Sequence, residues 1–133
     1  LGDYDMNRLL WVLQVLLALL FLFAGGTKLV MPAAELTAGG PLPAPFLRFI
    51  GVMEILGGLG LVLPGMLRVR MELTALAAAG LGVIMIGAVV VTMRTMGIAM
   101  AVLPFVTGVL AFFVAYGRWR LVPQGVARTA ARR

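Results

Sequence analysis

The 133-residue sequence contains neither cysteine nor histidine. Within these residues that removes thiol redox chemistry, Cys/His zinc sites, histidine-ligated haem and histidine general-base catalysis. Charge is scarce as well. Only 12% of the residues are charged and 62% are hydrophobic, whereas a soluble domain carries about a quarter charged residues. Sixteen charges, most of them near the ends of long apolar runs, cannot clothe a water-facing surface. Short segments of alternating apolar and polar residues are missing too, which argues against a transmembrane barrel. What is present is one integral membrane domain.

A spanning helix needs about 20 mostly apolar residues, because the hydrocarbon core is about 30 Å thick and each residue rises about 1.5 Å. Four runs meet this, at about 9–30, 46–63, 73–93 and 98–116. The expected fold is all-α: an antiparallel four-helix transmembrane bundle. Met31-Pro32 ends the first run, and Gly39-Gly40-Pro41-Leu42-Pro43-Ala44-Pro45 reads as a stiff loop. Pro64-Gly65 is expected to close the second helix, and Pro104 to bend the fourth.

The first run is longer than a signal-peptide core and reads as a true anchor. Leu1 to Asp5 precede the first methionine, Met6, and are expected to be a non-native start or extension. Residues 6–117 form the expected membrane domain, followed by a basic tail over 118–133. Arg8, Arg68, Arg70, Arg118, Arg120, Arg128, Arg132 and Arg133 fall on one side of this topology, and Lys28, Arg48 and Arg94 on the other. The excess of basic residues places both termini in the cytoplasm and the proline-rich loop outside.

Net charge is +6, and the tail holds five arginines and no acid. Nucleic-acid binding is not expected: no recognition fold fits into sixteen residues, and nothing aromatic is interleaved beyond Trp119. The tail is expected to rest on anionic lipid, with Arg118, Trp119 and Arg120 as surface contacts. Seventeen glycines in such a chain point to close helix packing, since lipid offers no hydrophobic drive between helices. Met93, Met96 and Met100 have a spacing that could present thioethers to Cu(I). Methionine is an ordinary gap-filler and the chain has nine, so no metal site is expected.

Glu54 is the most informative residue, because it is flanked by apolar residues on both sides. A bare carboxylate at that depth is costly, so it must be protonated, paired or facing water. Lys28, within a turn of the end of the first helix, is the expected partner; its stem spans about 6 Å. Arg48 lies on a different helical face from Glu54 and is expected to snorkel outward. Arg94, on the same outer side, could join the cluster. Two readings of the pair stay open: an ion pair that fixes helix register, or the polar floor of a ligand pocket.

Phe23-Ala24-Gly25-Gly26-Thr27-Lys28-Leu29, then Pro41-Leu42-Pro43-Ala44-Pro45, then Phe49-Ile50-Gly51-Val52-Met53-Glu54-Ile55-Leu56-Gly57, resemble the DoxX-like family of small bacterial membrane proteins. Ile84-Met85-Ile86-Gly87-Ala88 and Ala115-Tyr116-Gly117-Arg118-Trp119 are similar to it as well. The resemblance implies four transmembrane helices carrying a lysine and a glutamate at Lys28 and Glu54. It also implies a link to quinol oxidase, thiosulfate:quinone oxidoreductase or thiol-stress complexes of the bacterial inner membrane.

The functional expectation is therefore an accessory subunit, not catalytic alone, with no redox centre of its own. It would bind a quinone or lipid near Lys28 and Glu54 and associate with a membrane oxidoreductase or with copies of itself. The alternatives are a proton-coupled transporter and a purely structural subunit. Transport of the small multidrug resistance type wants an unpartnered carboxylate in the first helix, and here the acid is in the second beside a lysine. A stand-alone isomerase using Glu54 lacks a second acid–base residue in the helices. Sidedness is directly measurable in a chain without native cysteine. A cysteine introduced beside Arg128 is expected to resist an impermeant maleimide in intact cells and to react only after lysis; labelling from outside would invert the topology.

Overall fold

The computed structural model describes residues 2–38, 40–67 and 72–121. These comprise α1 (Asp3–Val30), a single turn α2 (Ala33–Thr37), α3 (Ala44–Leu67), α4 (Glu72–Thr95) and α5 (Ile98–Tyr116). A π-helical turn, Gly117–Leu121, continues α5. No strand occurs among the described residues, and α1, α3, α4 and α5 are each long and apolar enough to cross a bilayer. The all-α four-helix bundle is thus the observed architecture. Arg68, Arg70, Arg128, Arg132 and Arg133 lie outside the described residues.

Two helix boundaries differ from those expected. Helix α1 starts at Asp3, not near Leu9. No proline or glycine interrupts residues 3–8, and Arg8 stacks over the Tyr4 ring one turn earlier, 5.7 Å from its centroid. Pro64 does not close α3, which runs on to Leu67. Proline removes one N–H and so deprives only the Gly60 carbonyl of its helical donor. Gln14 of α1 donates its Nε2 to the next carbonyl along, that of Leu61, at 2.6 Å. The α4–α5 turn has the opposite requirement: Gly97 holds φ at +92°, which side chains resist.

Helix α1 packs along α3 and α4 along α5, while α3 and α4 meet less closely. On α1 and α3, Gly25 meets Gly51, Ala18 meets Gly58 and Gln14 meets Leu61, so the helices run antiparallel. The tightest crossing is glycine on glycine. A Cβ on Gly25 would stand 2.5 Å from the Gly51 carbonyl oxygen; one on Gly51 would stand 2.9 Å from the Gly25 oxygen and from Lys28 Cβ. Only glycine permits such backbone contact.

The core lies toward the chain ends, built from Leu10, Leu17 and Phe21 of α1, Leu61, Leu81 and Val114. It is closed by a polar lock. Arg118 was expected at the lipid surface, but it is only 4% exposed. Its Nε donates to Gln14 Oε1 at 2.6 Å, its Nη1 to Asn7 Oδ1 at 2.7 Å, and its Nη2 to the Asn7 carbonyl at 3.3 Å. Its guanidinium also lies 5.6 Å from the centre of the Trp11 ring. The reason for the correction is the π-helical turn, which aims residue 118 back at α1. Trp119 and Arg120 remain exposed. The lock places both described ends of the chain at the same end of the bundle.

Two substitutions probe these contacts. Gly25→Ala is expected to cost about 1–3 kcal/mol through overpacking. Gly26→Ala, whose Cβ meets nothing within 4 Å, should change stability by no more than about 0.5 kcal/mol. Denaturant unfolding in mild detergent compares them, and equal effects would count against the backbone crossing. Gln14→Leu removes two buried interhelical hydrogen bonds, one of them to a charged group, and should lower stability by about 1–3 kcal/mol in the same assay.

Candidate functional site

The glycine crossing sets the site. Lys28 follows Gly25 by three residues on α1, and Glu54 follows Gly51 by three residues on α3. Because the helices are antiparallel, those steps carry the two Cα atoms apart along the bundle by about 9 Å. Helical side chains, however, lean toward the N-terminus of their own helix. On α1 that tilt brings Lys28 back toward the crossing, and on α3 it does the same for Glu54. The two charges converge: Lys28 Nζ stands 2.9 Å from Glu54 Oε1.

The surroundings of the pair are asymmetric. Glu54 is 1% exposed, ten residues or about 15 Å into α3. Lys28 is more open, with 27% of its side chain accessible. The ammonium satisfies one carboxylate oxygen. The other, Oε2, is buried without a hydrogen-bond partner.

Arg48 does not snorkel outward, and it does not join the ion pair. It reaches from the first turns of α3 to the end of α1, where its Nη1 donates to the carbonyls of Lys28 (3.2 Å) and Leu29 (2.7 Å). Its Nη2 donates to that of Met31 at 3.0 Å. A helix end leaves its last carbonyls without donors and carries partial negative charge, and a planar guanidinium answers both. Arg48 therefore fastens the segment that carries Lys28. Arg94 is exposed at the end of α4. Sequence reasoning missed the capping role of Arg48, and it missed Asn7 and Gln14 as partners of Arg118. The available signal was Gln14 itself, an amide in the middle of an apolar run.

Both members of the ion pair line a groove between α3 and α4 with a volume of about 1230 Å³. Its walls are apolar, with Phe46, Ile50 and Met53 from α3 and Leu76, Ile84 and Val91 from α4. Leu36 of α2 and Leu42 of the following loop border one end. Exposed lining residues such as Phe49, Leu56, Leu76 and Val83 show that the groove opens sideways, toward where lipid would lie. Met96 also lines it, whereas Met93 and Met100 do not. An apolar cleft with a few convergent polar groups suits a ligand with a greasy body and a polar head.

Comparison with known proteins adds one finding. No curated protein and no solved structure matches the chain. The profile of the DoxX-like family matches residues 12–114, a stretch that contains the glycine crossing, the ion pair and all of α3 and α4. That match covers most of the sequence, and the chain belongs to the DoxX-like family.

Proposed function

We propose that the protein is an accessory membrane subunit that binds the head group of a quinone, or a similar hydrophobic ligand, against Lys28 and Glu54. It serves a membrane oxidoreductase that carries the redox centre. The observation behind this reading is the 2.9 Å ion pair in the wall of a large apolar groove. A register-fixing ion pair would work as well sealed between α1 and α3. Here it borders a cavity at or above the usual size of small-molecule sites, about 300–1,000 Å³.

The chemistry of the pair suits such a head group. Lys28 has three N–H donors, of which Glu54 Oε1 takes one, and the rest can serve a ring carbonyl. The apolar walls offer an isoprenoid tail a path along α3 and α4. Transport is less well supported, because the carboxylate already has a cation. In this proposal the membrane is the bacterial inner membrane. The shared end of the chain faces the cytoplasm, and Trp119, Arg120 and the residues after them meet anionic lipid.

Gentle purification followed by mass spectrometry of co-purifying lipophilic molecules and proteins tests the assignment. The wild-type protein should retain quinone. Lys28→Met, which removes the N–H donors offered to a ring carbonyl, should retain at least about tenfold less. Circular dichroism and gel filtration establish that the variant is folded. If the folded variant keeps the wild-type quinone content and the wild-type partners, the groove is not the site.

A further inference from the structure

Among the described residues, two buried side-chain polar atoms lack a hydrogen-bond partner, Glu54 Oε2 and Thr74 Oγ1. Thr74 does not line the groove; Glu54 does. The unmet need in the groove is therefore specific. A carboxylate paired with an ammonium is ionised, and an ionised carboxylate only accepts hydrogen bonds. With Lys28 on Oε1, what Oε2 lacks is a donor. A buried acceptor left bare is costly, and a donor brought to a charged acceptor makes a strong hydrogen bond.

A quinone and its reduced form differ in this one property. The quinone ring carries carbonyl oxygens, which accept. Set against Oε2, they would bring lone pair to lone pair. The hydroquinone carries phenolic O–H groups, which donate. We infer that the groove favours the hydroquinone form of its ligand over the quinone, with one phenolic O–H donating to Glu54 Oε2. This rests on the reading of the groove as a quinone site.

The carboxylate can make this contact without giving up Lys28. The last torsion of a glutamate side chain is broad, so a modest rotation turns Oε2 toward the groove while Oε1 keeps the ammonium. Lys28 is left as a donor for a ring substituent or the second ring oxygen. No electron moves in the site. Its consequence is thermodynamic: binding the reduced form tenfold tighter raises the two-electron midpoint potential of the bound pair by about 30 mV. The subunit would thus hold the reduced carrier beside a partner that consumes or produces it.

Three probes separate the possibilities on the full-length wild-type protein in nanodiscs, under anaerobic equilibrium dialysis: decylubiquinol, decylubiquinone and the dimethyl ether of decylubiquinol. The ether keeps the ring and tail but has no O–H. Decylubiquinol should bind at least about tenfold more tightly than decylubiquinone, in keeping with a hydrogen bond to a charged acceptor. The ether should bind as weakly as the quinone. In Glu54→Gln, whose amide both donates and accepts, the preference for the quinol should collapse. If decylubiquinone binds as tightly as decylubiquinol, or the ether matches the quinol, the inference is overturned while the groove remains a quinone site. If none of the three binds, the quinone reading fails and takes the inference with it. The wild-type comparison decides the matter even if the variant does not fold.

Discussion

A carboxylate about 15 Å along a membrane helix has to be answered by a cation, and the crossing of α1 on α3 delivers one. The crossing works because two glycines let the backbones touch, and because side chains on antiparallel helices lean toward each other across it. Lys28 and Glu54 meet as a result, although their Cα atoms are offset along the bundle. Arg48 adds a second fastening by satisfying the carbonyls of Lys28, Leu29 and Met31 where α1 ends. Helix α3 thus grips α1 twice near the same end, once through charge and once through backbone. Among the described residues, no side-chain hydrogen bond or ion pair draws α4 against this part of α3, and the groove lies there.

The opposite end of the bundle is organised by a different kind of polar group. Arg118 is answered by the neutral side chains of Asn7 and Gln14 and by the ring of Trp11. Gln14 passes the connection on to the Leu61 carbonyl, which ties α5, α1 and α3 into one chain of hydrogen bonds beside the packed core. That end is closed, and the bare polar atom near it, Thr74 Oγ1, does not line the groove. The end with Lys28 and Glu54 is open and has an acceptor left over. Since lipid supplies little drive for helices to associate, both ends depend on specific polar contacts and small residues for their geometry. Of the two ends, the one whose unmet polar group belongs to a residue lining the groove is the better place for a ligand.

The elements most legible in the sequence are those fixed by the bilayer. Four apolar runs of spanning length admit little besides four helices, and a lone membrane carboxylate near a lysine on the adjoining helix invites pairing. Residues whose fate depends on a third element were harder to read. Pro64 looks like a helix end when α3 is considered alone, yet it removes only one helical hydrogen bond, and Gln14, forty-seven residues away in sequence, holds the neighbouring Leu61 carbonyl from another helix. Arg118 looks like a lipid anchor because arginines after a last span usually are. Its burial depends on a π-helical turn and on two amides more than a hundred residues earlier. The groove was not legible at all, since it reflects how α3 and α4 pack against each other, and hydrophobic pattern does not encode that packing.

Register and ligand binding are often treated as rival explanations of a buried ion pair, but in this fold they are compatible. An ion pair whose only task is register gains from being fully satisfied and sealed, because every leftover donor or acceptor adds to the desolvation cost. The Lys28–Glu54 pair is half-satisfied: it fixes the crossing through Oε1 and leaves Oε2 bare in a residue that lines the groove. The first contact holds the carboxylate in place, so that binding a ligand need not also order the side chain. In the proposed reading, the bare oxygen then determines what kind of head group is welcome. A pair that was merely structural would lose nothing if its surroundings were filled, whereas a binding site requires a cavity beside it, and the groove supplies one.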